Sequence, residues 1–201
     1  MNKDQVLAGL YTYLTENLPQ AALSLIIQND IRVENFFAIH SGVYLNSLLP
    51  DNQILSFLFQ HTILLENPQR IHIDIVFTDL DNCVTYLELK HFSISQNRGN
   101  GRRLSFYTSN TVEGRKVGIV GDCVKFNILR NNGYINDTIN MVCCAFITPK
   151  PTQQQINNMT VCFQQYPELV GWELDYPMPL GLQSQTLGMM TLQKQAVLVH
   201  H

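Results

Sequence analysis

Apolar positions along the first fifty residues recur at helical spacing. Val6, Leu10, Leu14 and Leu18 form one stripe with Tyr13 beside it, and Pro19 ends that segment and can open the next at its first turn. Asn29-Asp30 offers an N-cap for a third helix, whose stripe of Val33, Phe37, His40, Tyr44 and Leu48 runs until Pro50-Asp51-Asn52 stops it. From about Ile54 the period shortens. Phe57 to Glu66, Arg70 to Thr78 and Val84 to Phe92 are rich in β-branched and aromatic residues, with turn chemistry at 66–69 and 79–82. Residues 93–118 read as a loop of Ser, Asn, Gly and Arg, and Gly121-Asp122 then introduces a helix closed by Asn131-Asn132-Gly133. The continuous apolar run Met141 to Ile147 suits a buried central strand. A helix from about Gln153 to Gln165 and a last strand near Val170 to Leu174 lead into a Pro- and Gly-containing tail.

This order predicts one α/β domain over 1–201, with a mixed central sheet built from an antiparallel meander plus further strands and flanked by helices. Residues 1–53 supply N-terminal helices, 54–147 the core with the 93–118 basic loop, and 148–201 a helix, a strand and a tail. Met189-Met190 and Ala196 to Val199 in that tail are expected to pack on the core or on a second subunit.

Composition narrows the class. A hydrophobic fraction of 45% in 201 residues excludes a disordered chain, and one core is expected at this length. Only 14% of residues are charged, against about 25% in an average domain, and eighteen Asn and sixteen Gln fill the gap. No run approaches the roughly 18 apolar residues of a membrane helix, and Met1-Asn2-Lys3-Asp4-Gln5 lacks the basic start of a signal peptide. The five cysteines include no C-x-x-C pair, so reduced thiols and a cytoplasmic location are expected.

Charges placed inside otherwise apolar strands carry the candidate chemistry. In Ile71-His72-Ile73-Asp74-Ile75-Val76-Phe77 the isoleucines and Phe77 share one face, leaving His72, Asp74 and Val76 on the other. In the next strand Tyr86, Glu88 and Lys90 share a face. A hairpin closed by Leu80-Asp81-Asn82, with Asn82 left-handed, sets Phe77 opposite Thr85 and Asp74 opposite Glu88, with Cβ atoms about 5 Å apart. Two carboxylates that close repel unless a cation or proton lies between them. Mg²⁺, held by these two and a carbonyl such as that of Leu89, is the natural solution, with Mn²⁺ able to substitute. Lys90, beside Glu88, can position and polarise an attacking water and offset charge developing on a phosphate.

Ile73-Asp74, thirteen further residues and Glu88-Leu89-Lys90 together resemble the PD-(D/E)xK nuclease superfamily, the restriction-endonuclease-like fold. The resemblance spans roughly Glu34 to Ile147. It implies a metal-binding Asp74, the pair Glu88 and Lys90, and a further acid on a preceding helix, a place that Glu34 matches. Ile73 stands where the motif has Pro, and the 93–118 loop is longer than a minimal core needs. The activity implied is metal-dependent phosphodiester hydrolysis of an endonuclease kind, and many nucleases of this fold act as homodimers; nucleic acid, DNA ahead of RNA, is the expected partner, with the substrate itself left open between the two. The alternative is a catalytically silent nuclease-fold module for protein or nucleic-acid interaction.

The charge distribution sharpens this picture. Residues 90–130 hold eight basic and two acidic side chains, net +6, whereas the rest holds five and fourteen, net −9. Arg98, Arg102, Arg103, Arg115, Lys116 and Lys125 are therefore expected to track a nucleic-acid backbone, with Phe92, Phe106 and Tyr107 as stacking platforms. A solvated polar loop explains the same residues. Lys125 and Asp122 are also spaced as an ordinary i,i+3 helix pair. Asp122 is an accessory candidate, as is His72 on the metal face opposite Lys90; His91 points the other way and suits a core or surface role. Gly114 to Gly121 lacks the Gly-Lys-Ser/Thr ending of a P-loop.

Overall fold

Asn2 opens the first helix through a reciprocal cap, its side chain accepting from the Gln5 N–H while the Gln5 side chain accepts from the Asn2 N–H. Val6, Leu7, Leu10, Tyr11 and Leu14 then bury one stripe of α1 (Lys3–Asn17). The computed structural model describes residues 1–29, 33–66, 70–93, 111–112, 115–116, 118–176 and 186–195. α2 (Gln20–Asn29) begins directly after Pro19, as its missing N–H and fixed φ allow. α3 (Glu34–Leu48) starts later than the Asn29-Asp30 cap predicts: Val33 precedes it with no side-chain cap, and its N–H donates instead to His91 Nδ1 at 3.3 Å. A tertiary contact has taken the place of a local cap.

Three strands follow with the expected boundaries to within two residues: β1 (Ser56–Leu64), β2 (Arg70–Thr78) and β3 (Val84–Ser93). The expected hairpin register is observed, Phe77 opposite Thr85, and Asn82 has a φ of 61°. Inside the 93–118 segment two short strands pair, β4 (Thr111–Val112) with β5 (Arg115–Lys116). α4 (Gly118–Asn131) begins three residues before the expected Gly121, at a glycine with φ 75°. β6 (Asn140–Thr148) is buried along its whole length, as the apolar run requires. α5 (Gln153–Phe163) carries a second reciprocal cap, Thr152 with Gln155. A 3₁₀ turn (Pro167–Leu169) comes just before the stretch expected to hold the last strand, and within that stretch β7 (Glu173–Asp175) is short and starts three residues after the expected Val170.

The tail needs a larger correction. β8 (Gly188–Lys194) is a full sheet strand, antiparallel to β6 along seven residue pairs, and Met189 and Met190 are buried on its two faces. The six-stranded sheet runs β1-β2-β3-β6-β8-β7, with β3 and β6 parallel and the other pairs antiparallel. Helices α1 to α3 cover one face, over Ile75, Phe77, Leu87, Leu89, Val142, Cys144 and Phe146. On the other face α4 and α5 contribute Ile119, Cys123, Phe126 and Met159 to a core with Tyr86, Met141, Cys143 and Ala145. Because β3 and β6 are parallel, their connection must cross the sheet, and α4 is that crossover. No helix among the described residues is long and apolar enough to cross a membrane.

Strand β2 departs from the expected alternation at one point. Ile75 and Phe77 pack under α1 to α3, but Ile73 belongs to the opposite core, with Ile71 against it. The change of face falls at Asp74. The β2–β3 ladder ends at Ile75–Leu87, and the β1–β2 ladder skips the Gln60–Asp74 pair, where Gln60 has a φ of 49°. A break in both flanking ladders at one residue lets the strand turn over there. The sheet opens at Asp74.

Candidate functional site

The opening between β2 and β3 leaves backbone groups that need partners. Asp74 supplies one: its Oδ2 accepts from the Leu89 N–H at 2.8 Å, standing in for the missing β2 carbonyl. Asp74 thus falls one step past the last ladder pair instead of directly opposite Glu88 within it. N–H and C=O of an extended residue point to the same side, so the Leu89 carbonyl also faces this opening.

Glu88 and Lys90 project from β3 on the α4 side, next to Cys143 and Ala145 of β6, whose small side chains leave room for them. The crossover helix then brings Asp122 and Lys125 over them. Lys125 Nζ lies 2.5 Å from Glu88 Oε1 and 3.8 Å from Asp122 Oδ1, and donates to the His72 carbonyl at 3.4 Å. Lys90 Nζ lies 3.4 Å from Asp122 Oδ2 and 3.8 Å from Glu34 Oε2. A chain of ion pairs therefore runs Glu34, Lys90, Asp122, Lys125, Glu88. With Asp74 beside it, four carboxylates surround two ammonium groups. Glu34 reaches the cluster because α3 is pinned at its first turn: His91 accepts from Val33, bonds Thr148 Oγ1 through Nε2 at 2.8 Å, and stacks on Phe37.

The electrostatics follow from burial. Glu88 is 3% exposed, and desolvation pushes its carboxyl up to about 8 despite the opposing pull of Lys125; Asp122 and Asp74 add to the rise. Asp122 is also raised, first by burial, with Lys90 and Lys125 opposing. Burial alone would lower the Lys90 ammonium, but Asp122, Glu34, Glu88 and Asp74 together outweigh it and hold its pKa above the usual lysine range. Lys90 is thus a firmly charged cation in a half-closed site.

The oxygen donors here suit a hard divalent cation. Glu88 Oε1 and Asp122 Oδ2 are buried and accept no hydrogen bond of acceptable geometry, although each has an ammonium nearby. As the side chains stand, no three His, Cys, Asp or Glu groups among the described residues are arranged to hold a metal ion. The reason is visible in the distances. Lys125 lies between Glu88 and Asp122, Lys90 between Asp122 and Glu34, and Asp74 is turned onto Leu89 N–H.

The structure gathers six of the residues singled out in the sequence, Glu34, Asp74, Glu88, Lys90, Asp122 and Lys125, and Leu89 through its backbone. Asp122 is more central than an accessory residue, since it contacts both lysines. The signal for it was the Asp-x-x-Lys spacing at the start of the helix that follows Glu-x-Lys. Lys125 makes the i,i+3 pair and the Glu88 contact together. The His72 imidazole does not face Lys90; it is exposed and bonds Thr62 Oγ1 at 3.0 Å, and only its carbonyl enters the site. His91 has the core role expected of it, with the tether to α3 in addition. Arg98, Arg102 and Arg103 lie outside the described residues, as do Phe106 and Tyr107, while Arg115 and Lys116 are described only as the backbone of β5. All five cysteines are free thiols. No family model, curated protein or solved structure matches this chain.

Proposed function

We propose that this chain is a metal-dependent nuclease of the restriction-endonuclease-like class, hydrolysing phosphodiesters in DNA in preference to RNA. The observation that carries the reading is the convergence, where the sheet opens at Asp74, of Asp74 and Glu88 from adjacent strands with Lys90 beside them. Glu88, Asp74 and the Leu89 carbonyl are the groups that would hold Mg²⁺ or Mn²⁺, with Asp122 as a further oxygen donor. The ion supplies Lewis-acid polarisation of the phosphate when bound. Lys90, kept charged by the surrounding carboxylates, orients the attacking water and offsets negative charge on the phosphorane-like transition state. Glu34 holds Lys90 from the α3 side and fixes its direction. The basic segment between β3 and α4 supplies the non-specific hold on the nucleic-acid backbone, and a second copy of the chain would serve the opposite strand.

A second reading, a catalytically silent module of the same fold, is favoured by the closed ion-pair chain, in which Lys125 already pairs with Glu88. Cleavage of plasmid and of single- and double-stranded oligonucleotides with Mg²⁺ or Mn²⁺ separates the two. The nuclease reading expects cleavage that chelator abolishes and that falls by roughly 10²-fold or more in both Lys90→Ala and Asp74→Ala. Absence of cleavage on every substrate, with binding that weakens as salt rises, leaves the silent module.

A further inference from the structure

The position of Lys125 is unusual for a residue whose chemistry is to grip a phosphate. Its ammonium turns back onto the sheet, on a side chain that is 23% exposed. It sits among three oxygen donors drawn from three elements: Glu88 Oε1 on β3, Asp122 Oδ1 on its own helix, and the His72 carbonyl on β2. Glu88 is nearly fully buried, and its Oε1 meets Lys125 at 2.5 Å without an acceptable hydrogen-bond angle, so the contact is chiefly one of charge. A compact cation surrounded by carboxylate and carbonyl oxygens is also the description of a divalent-metal site. The second lysine is placed differently. Lys90 pairs with Asp122 and Glu34 and makes no ion pair with Glu88, so its departure would not free the buried carboxylate.

We infer that Lys125 is a resident counter-ion that closes the metal site in the metal-free protein and must leave Glu88 before a divalent cation can bind. This rests on the nuclease reading for the identity of the cation. Geometry carries it: one side chain from the crossover helix stands between the Glu88 and Asp122 carboxylates, 2.5 Å from Glu88 Oε1 and 3.8 Å from Asp122 Oδ1. The plug has a clear physical use. A buried glutamate with neither metal nor lysine could ionise only as an uncompensated charge, which destabilises a fold, and Lys125 is the group that opposes the upward push of burial on this carboxyl. The lysine keeps the strand assembled until a competing cation arrives, and the four-carbon stem allows its head to withdraw without moving α4. Metal affinity is consequently lower than the donor set alone would give.

The test is Mn²⁺ binding to the full chain, read from the free-ion electron paramagnetic resonance signal at neutral pH and low salt, without any nucleic acid. Wild type is compared with Lys125→Met, which keeps the apolar stem, and with Lys90→Met, which removes the same charge from the same cluster. Lys125→Gln, with a neutral donor left for Glu88, serves where the Met variant does not fold by circular dichroism. The inference expects Lys125→Met or Lys125→Gln to bind Mn²⁺ at least about tenfold more tightly than wild type, a shift of about 1.4 kcal/mol. Lys90→Met is expected to gain several-fold less. Equal or weaker binding in the Lys125 variants overturns the plug and leaves the metal-site reading standing. An equal gain in Lys90→Met overturns it too, because net charge alone then explains the effect. Binding by none of the proteins up to millimolar Mn²⁺ refutes the metal site itself, and the plug with it.

Discussion

Glu88→Gln should change the pH dependence of stability more than stability itself, and the sign is fixed by burial. In the folded, metal-free protein the carboxyl is raised from 4.5 to about 8, chiefly because it is desolvated, and it is 3% exposed, so solvent does little to screen the effect. A carboxyl whose folded pKa lies above its unfolded one holds its proton longer in the native state. Its favourable contribution is therefore complete below about pH 4.5, declines as pH rises, and is gone above about pH 8. One unit corresponds to 1.36 kcal/mol, so the interval sets a ceiling of about 5 kcal/mol. The wild type also keeps the attraction of Lys125 for ionised Glu88, which the amide lacks, and this attraction is already contained in the raised value. Glu88→Gln cannot ionise and should not show the decline. Urea denaturation in chelator at pH 5, 6, 7, 8 and 9, followed by far-ultraviolet circular dichroism, measures it. Wild type is expected to lose roughly 2–4 kcal/mol relative to the variant between pH 5 and 9, since part of the interval lies below pH 5. Asp122, also raised and sharing Lys125 with Glu88, titrates in both proteins, so the difference between the curves reports Glu88 together with its effect on Asp122. Parallel curves across that range would refute the claim that burial dominates at this site.

Two further predictions test parts of the site that do not react. His91→Ala removes a ring that accepts from Val33, bonds Thr148 and stacks on Phe37, and it should cost about 3 kcal/mol by chemical denaturation, with a larger loss of cleavage than Ser or Ala changes on exposed faces because Glu34 loses its anchor. A destabilised His91→Ala with full cleavage and unaltered metal affinity would remove the tether from the account. In the native state only Cys83 and Cys162 should react quickly with a bulky aromatic disulfide reagent, since Cys123, Cys143 and Cys144 are fully buried and their reaction should wait for unfolding. Titration of released thiolate in buffer and in denaturant measures both numbers; fast reaction of all five would contradict the packing of α4 on β6, where Cys123 and Cys143 lie 3.6 Å apart.

Local pattern alone determined a good deal of this protein. The 3.6-residue stripes located α1 and α3 with Pro19 opening α2, the β-rich runs located β1 to β3, the continuous apolar run located β6, and a three-residue turn with Asn82 set the hairpin register that brings Asp74 and Glu88 to the same height. Those features depend on residues a few positions apart, and so does the choice of Glu88 and Lys90 for one side of β3. Tertiary structure decided what depends on distant partners. β8 was hidden because Gly188 to Lys194 puts Met189 and Met190 side by side and mixes Thr191, Gln193 and Lys194 with Leu192, which gives no clear strand period, and only the edge left by β6 gives it a strand to join. The start of α3 was misplaced because a histidine 58 residues away, not a local side chain, holds the residue before it. The turnover of β2 at Asp74 arises from two ladders ending together, which alternation within one strand does not encode. Most of all, a parallel β3–β6 pairing obliges the chain between them to cross the sheet, and that crossover laid Asp122 and Lys125 on Glu88 and Lys90. Spacing along the chain named the charges; the crossover determined which of them touch.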